Sequence, residues 1–256
     1  MALVTAGYPH GTFCWVDLET TDPEGARSFY GGLLGWEFAD AGGGYTLCRL
    51  EGSEVAGLHG HAPDARWSSY VCVEDAEAAV ARAQELGGSV LRAPQELPGT
   101  ARVAVIRDPA GAELCLWEPG GLAGARLVND VGAWSWNELT TPDLSGAKGF
   151  YGELFGWTAE DASGGIGRVT FSLGRLLVAG MHPPMPFEQG PPGWTISFRV
   201  ADADETAERG TALGGSVLLP PFDVPIGRMG VLADPAGAAF LIASVPGGSF
   251  RGVDGS

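Results

Sequence analysis

Lysine is nearly missing from this chain: Lys148 is the only one among 15 basic residues, set against 31 acidic ones, for a net charge of −16 over 256 residues. The Lys and Arg clusters that neutralise phosphates are absent, which excludes nucleic acid as a partner. Anionic membrane surfaces are disfavoured for the same reason. No apolar run approaches the ~20 residues that span a bilayer. Residues 1–10 lack the basic start and the apolar core of a secretory signal, so a cytoplasmic location is expected. Cysteine is also scarce. Cys14, Cys48, Cys72 and Cys115 show no metal or redox spacing, and each falls in a strand-like run where a free thiol behaves as a small buried apolar group. There is no Gly-x-Ser-x-Gly elbow, phosphate loop or dinucleotide fingerprint.

Glycine (41) and proline (18) are plentiful, and 45% of the residues are hydrophobic, the mark of a compact, turn-rich globular chain. The most informative feature is a repeat. Trp15-Val16-Asp17-Leu18-Glu19-Thr20-Thr21-Asp22 returns as Trp136-Asn137-Glu138-Leu139-Thr140-Thr141-Pro142-Asp143. Phe29-Tyr30 and Trp36 return as Phe150-Tyr151 and Trp157, all 121 positions later. A period this long marks a duplicated domain rather than a solenoid.

Within the first copy, residues 12–20 alternate and carry β-formers. Asp22-Pro23 then supplies a helix N-cap and a proline in the first helical turn. Ala26, Phe29, Tyr30, Leu33 and Leu34 recur at helical spacing, and Gly35 stops the helix. Strands near 36–40, 44–50 and 54–59 follow. A second strand–helix unit opens at Ser68, with Asp75 as cap and Gly87-Gly88 as stop. It closes with strands near 89–93, 101–107 and 113–118, the last two joined by the turn Asp108-Pro109-Ala110-Gly111. Residues 11–118 thus read as two βαβββ units. Residues 119–131 are a glycine-rich linker, and 132–245 repeat the pattern down to Asp234-Pro235-Ala236-Gly237. The tail from Pro246 is expected to fray.

A strand, a capped helix carrying Phe-Tyr, then Leu-Gly or Phe-Gly with an aromatic, and a late Asp-Pro-x-Gly turn: this set resembles the vicinal oxygen chelate superfamily of glyoxalases, bleomycin-resistance proteins and extradiol dioxygenases. It is most similar to the two-domain actinobacterial members labelled hydroxylase or antigen. The resemblance implies an α+β fold in which four tandem βαβββ modules form two cup-shaped mixed sheets with helices on their outer faces.

In metal-dependent relatives, His, Gln or Glu ligands stand on three strands. The corresponding positions here are Trp15, Ser68 and Cys115 in the first copy and Trp136, Thr195 and Leu241 in the second. Indole and Leu cannot ligate, and isolated Ser, Thr or Cys side chains do not make a site. His59 and His182 occupy equivalent places, with His61 beside the former, but a third ligand is not evident. No metal and no cofactor are therefore expected.

Strand phase instead puts Phe13, Trp15, Asp17, Tyr70, Glu113 and Trp117 in the first cup and Trp134, Trp136 and Glu138 in the second, with His59 and His182 at the rims. Aromatic cups with a few acidic groups suit a planar, largely apolar ligand. The resemblance to antibiotic-pathway members implies a polyketide as ligand and a modifying oxygenase as candidate partner, in a resistance or accessory role. Two other readings stay open: a metal-dependent lyase or dioxygenase, and an antigen without a specific ligand. The aromatics could equally fill the cups as core.

Overall fold

The computed structural model describes residues 2–60, 63–161, 167–185 and 190–245. The elements run β1 (Ala2–Leu3), β2 (Phe13–Glu19), α1 (Pro23–Leu34), β3 (Glu37–Gly42), β4 (Tyr45–Leu50), β5 (Ser53–His59), β6 (Arg66–Cys72), α2 (Ala76–Glu85), β7 (Ser89–Leu97), β8 (Ala101–Arg107), β9 (Glu113–Pro119) and β10 (Leu127–Val128). The second copy supplies β11 (Trp134–Thr140), α3 (Leu144–Phe155), β12 (Thr158–Asp161), β13 (Val169–Leu173), β14 (Leu176–His182), β15 (Gly193–Arg199), α4 (Ala203–Ala212), β16 (Ser216–Val224), β17 (Gly227–Ala233) and β18 (Ala239–Ser244). Asp22 caps α1 by accepting from the Gly25 amide, and Gly35 ends it in the left-handed conformation. Asp143 and Gly156 do the same for α3.

Two eight-stranded mixed sheets result, ordered β3-β4-β5-β2-β6-β9-β8-β7 and β12-β13-β14-β11-β15-β18-β17-β16. The modules therefore pair within each repeat, through the antiparallel central pairs β2–β6 and β11–β15. The stretch between the repeats is pinned to the first sheet. The amides of Ala125 and Arg126 donate to the carbonyls of Cys14 and Glu54, and β10 pairs with β1. The tail from Pro246 lies outside the described residues.

The helix-bearing faces of the two sheets are the faces that meet. Tyr30 of α1 packs on Phe198 and Phe240 of the second sheet, and its hydroxyl bonds Asp234 Oδ2 at 3.2 Å while accepting the Trp67 indole N–H. The second copy mirrors this: the Tyr151 hydroxyl bonds Asp108 Oδ2 at 2.9 Å and accepts from the Trp194 indole. Phe29 and Phe150 lie against Gly215 and Gly88 of the opposite repeats, where a Cβ would meet their rings at 2.8 and 3.0 Å. The two recurring signatures, Phe-Tyr and Asp-Pro-Ala-Gly, thus touch across the interface. Asp108 Oδ1 also accepts the amides of Gly111 and Ala112, so one carboxylate holds both its own turn and the opposite helix. Burial of paired aromatics and satisfied polar groups makes this contact continuous with the core.

Candidate functional site

Each cup is built around a carboxylate that bonds the tryptophan two residues before it. In repeat one, Trp15 Nε1 donates to Asp17 Oδ1 at 2.9 Å, and the Tyr45 hydroxyl donates to the same oxygen at 2.5 Å. In repeat two, Trp136 Nε1 donates to Glu138 Oε2 at 2.8 Å, with Arg168 Nη2 at 3.8 Å from Oε1. Room for these carboxylates comes from the neighbouring strand. Asp17 pairs with Gly57 and Glu138 with Gly180, where a Cβ would stand 1.8 Å and 2.1 Å from the carboxylate oxygens. Both glycines recur in the sequence, in Val55-Ala56-Gly57-Leu58-His59 and Val178-Ala179-Gly180-Met181-His182, and the pairing of the strands supplies the reason.

Burial raises the pKa of Asp17, opposed in part by the Tyr45 hydrogen bond, the His59 charge and bonds from Tyr70 and Trp15. A folded-state pKa above the ordinary carboxylate value of about 3.9 means that the native state binds this proton more tightly than the unfolded chain does. Stability from this group is thus complete below the unfolded pKa and is lost as pH rises through the folded one. Asp17→Asn keeps the acceptor and removes the charge. The unfolding free energy of the wild type minus that of the variant is expected to fall from about pH 4 upward and then level off. A pH-independent difference in parallel urea titrations would contradict this.

The predicted site residues do not all converge. Phe13 and Trp134 leave the cups: register shifts between Phe13 and Trp15, and between Trp134 and Trp136, place them opposite Val71 and Phe198 on the interface face. Phe13 packs there on Trp157 and Trp194, 5.7 and 5.1 Å between ring centres. Simple alternation cannot foresee a β-bulge, which resets the phase by one residue. Trp15, Asp17, Tyr70 and Trp117 do converge. Trp117 lies 5.7 Å from Trp15 and 5.5 Å from Tyr70, and both tryptophans are fully buried, so the first cup is filled by its own aromatics. His59 stands at the rim with Nε2 3.7 Å from Glu19 Oε1. His182 has Nδ1 2.9 Å from the Pro183 carbonyl oxygen. His61 lies outside the described residues.

The second cup is built differently. By register, Tyr45, Tyr70 and Trp117 correspond to Arg168, Ser197 and Ala243. Trp136 is half-buried where Trp15 is fully buried. The enclosed Ser197 hydroxyl has no hydrogen-bond partner among the described residues.

Space remains at the mouth of the first cup. A cavity of about 570 Å³, open to solvent, is lined by Tyr70 and Cys115 together with Pro191, Pro192 and Trp194 of repeat two. Its rim carries five charged groups, of which strand phase in the sequence points only to Glu113. Arg66 Nε donates to Glu19 Oε2 at 2.6 Å, Arg107 Nη2 donates to Glu113 Oε1 at 2.8 Å, and Arg92 reaches Glu19 only at 3.9 Å.

Neither cup offers a set of cation donors among its described residues. The positions that the resemblance matches to metal ligands hold Trp15, Ser68 and Cys115 in the first cup and Trp136, Thr195 and Leu241 in the second. Burial, together with the nearby Asp17 and Glu19 charges, pushes the Cys115 thiol up to about 12, so it stands in the cup as a neutral thiol. Among the described residues no group of three or more His, Cys, Asp or Glu side chains is placed to hold a metal ion.

Paired βαβββ modules in two cupped sheets define the vicinal oxygen chelate fold. A Mn(II)-bound glyoxalase from Novosphingobium aromaticivorans superposes with a TM-score of 0.65 at 16% identity, covering 92% of this chain and 82% of that one. The 2,3-dioxygenase LapB from Pseudomonas sp. KL28 does so with a TM-score of 0.65 at 14% identity, covering 94% and 95%. Residues 15–117 and 136–243 each match the model of the glyoxalase-like domain, and the chain belongs to that family. It is 40% identical over 254 residues to CFP32 of Mycobacterium tuberculosis (strain CDC 1551 / Oshkosh), whose name assigns it provisionally to the glyoxylases, covering 92% of this chain and 95% of that one. It is also 33% identical over 257 residues to the anthracycline biosynthesis protein DnrV of Streptomyces peucetius, covering 92% and 94%. Among the described residues no helix is long and apolar enough to cross a membrane.

Proposed function

We propose that this protein binds a planar aromatic small molecule without a metal ion, in the cavity at the mouth of the first cup. The observation that carries the reading is that cavity of about 570 Å³, lined by Tyr70 and Trp194 and by Ser68 and Cys115, two positions that the resemblance matches to metal ligands. The volume falls in the ~300–1,000 Å³ range of small-molecule sites, and aromatic and proline faces favour a flat partner. Similarity to DnrV supports a fused-ring polyketide, sequestered or presented to a modifying oxygenase rather than transformed here.

The test is tryptophan fluorescence with a neutral planar probe, 2-naphthamide. Saturable quenching with one molecule per chain is expected, unchanged by EDTA. Ser68→Trp, which fills the cavity from its half-buried wall, is expected to abolish that quenching while leaving the urea midpoint in place. Absence of saturable quenching, or its loss on chelation, would overturn the reading.

A further inference from the structure

The charged rim of this cavity is not something the fold requires, and the protein carries its own control. Strand register matches Glu19 and Arg66 to Thr140 and Gly193, Arg92 to Leu219, and Arg107 and Glu113 to Ala233 and Ala239. Repeat two builds the same eight-stranded sheet with none of these five charges. A solvated surface network would have no reason to gather on one cup and be absent from all five equivalent positions of the other.

The rim is also unbalanced in sign. Three arginines face two glutamates, in a chain whose net charge is −16. Glu19 is committed to Arg66, and Glu113 accepts from both Arg107 at 2.8 Å and Arg66 at 3.3 Å. Arg92 is left with a contact at 3.9 Å, beyond hydrogen-bond range. Its guanidinium is a planar fork matched to a carboxylate, standing beside Val105 at the cavity edge.

We infer that the cavity takes aromatic carboxylates: the acid group binds Arg92 with Arg107 in support, and the ring lies between Val105 and Trp194. This rests on the binding reading above and narrows it from planar aromatics to planar aromatic acids. The acidic protein repels such anions at long range, so the local positive excess works as a filter for ligands whose carboxylate reaches the fork.

The experiment compares 2-naphthoate with its neutral isostere 2-naphthamide by isothermal titration, in the wild type, Arg92→Leu and Arg107→Ala. These variants install the residues that repeat two already carries at the same register, so the sheet should tolerate them; circular dichroism checks this. The acid is expected to bind the wild type about ten-fold more tightly than the amide, as a charge-assisted bidentate contact should. The preference should shrink with added salt and disappear in Arg92→Leu. Equal affinity for acid and amide in the wild type would overturn the carboxylate assignment while leaving aromatic binding intact. A preference that survives both substitutions would also overturn it. Failure of both probes to bind removes the binding reading and this inference together. Inorganic phosphate competing as well as 2-naphthoate would show a site for charge alone and would likewise overturn it.

Discussion

Trp15→Ala is expected to lower the unfolding free energy by about 3–5 kcal/mol, the range for truncating a large buried aromatic. Trp15 is fully buried against Trp117, and its indole N–H serves both the Asp17 carboxylate and the Tyr45 hydroxyl, the latter at 2.8 Å. Truncation leaves a cavity and also removes a donor from a buried carboxylate, and the two costs have the same sign. Trp136→Ala is expected to cost less, because that ring is only half-buried. Urea denaturation checks both. The wild-type slope should be kept and the midpoint should move much further for Trp15 than for Trp136. Equal shifts would show that the two cups are not packed differently.

The second large effect is expected at the contact between repeats. Tyr30→Ala should also cost about 3–5 kcal/mol. Tyr30 is fully buried between the Trp67 and Phe198 rings, and its hydroxyl joins the Trp67 indole to Asp234. Tyr30→Phe isolates the polar part. It keeps the ring but leaves a buried indole N–H and an aspartate each short of a partner, for about 1–3 kcal/mol. If Tyr30→Ala cost no more than Tyr30→Phe, ring packing would not be what joins the repeats at this point. Tyr151, with Trp194 and Asp108, should behave alike.

Much of the fold was legible because its signals are local. Asp22-Pro23 with Gly35, and Asp143 with Gly156, mark helix ends through groups within one turn. Alternation marked the strands, and repetition at a constant offset of 121 residues showed that a motif was meant rather than accidental. Which cup faces are lined by Asp17, Glu138, Tyr70 and Trp117 also followed from phase, since those positions lie on unbroken alternation. Phe13 and Trp134 were misplaced because a bulge is a backbone event with no reliable local signature.

Apart from Glu113, which strand phase already put in the cup, the charged rim was out of reach for another reason. Glu19, Arg66, Arg92, Arg107 and Glu113 are scattered over ninety-odd positions on five strands, and only strand order brings them to one opening. The Asp-Pro-Ala-Gly aspartates were read as turn formers. That is half their role, because the other half depends on the opposite helix.

By itself, then, the sequence determined a duplicated α+β chain of four βαβββ modules and placed non-ligands where metal-dependent relatives keep their donors. The first is a property of residue type and short spacing, and the second is what the resemblance implies once the residues at those positions are read. Only the tertiary structure decided that the modules pair within each repeat, that the first cup is closed by its own aromatics, and that the open space lies at its arginine-bearing mouth. Those outcomes depend on which side chains meet across strands far apart in the chain, and packing settles that by volume and by hydrogen-bond satisfaction together.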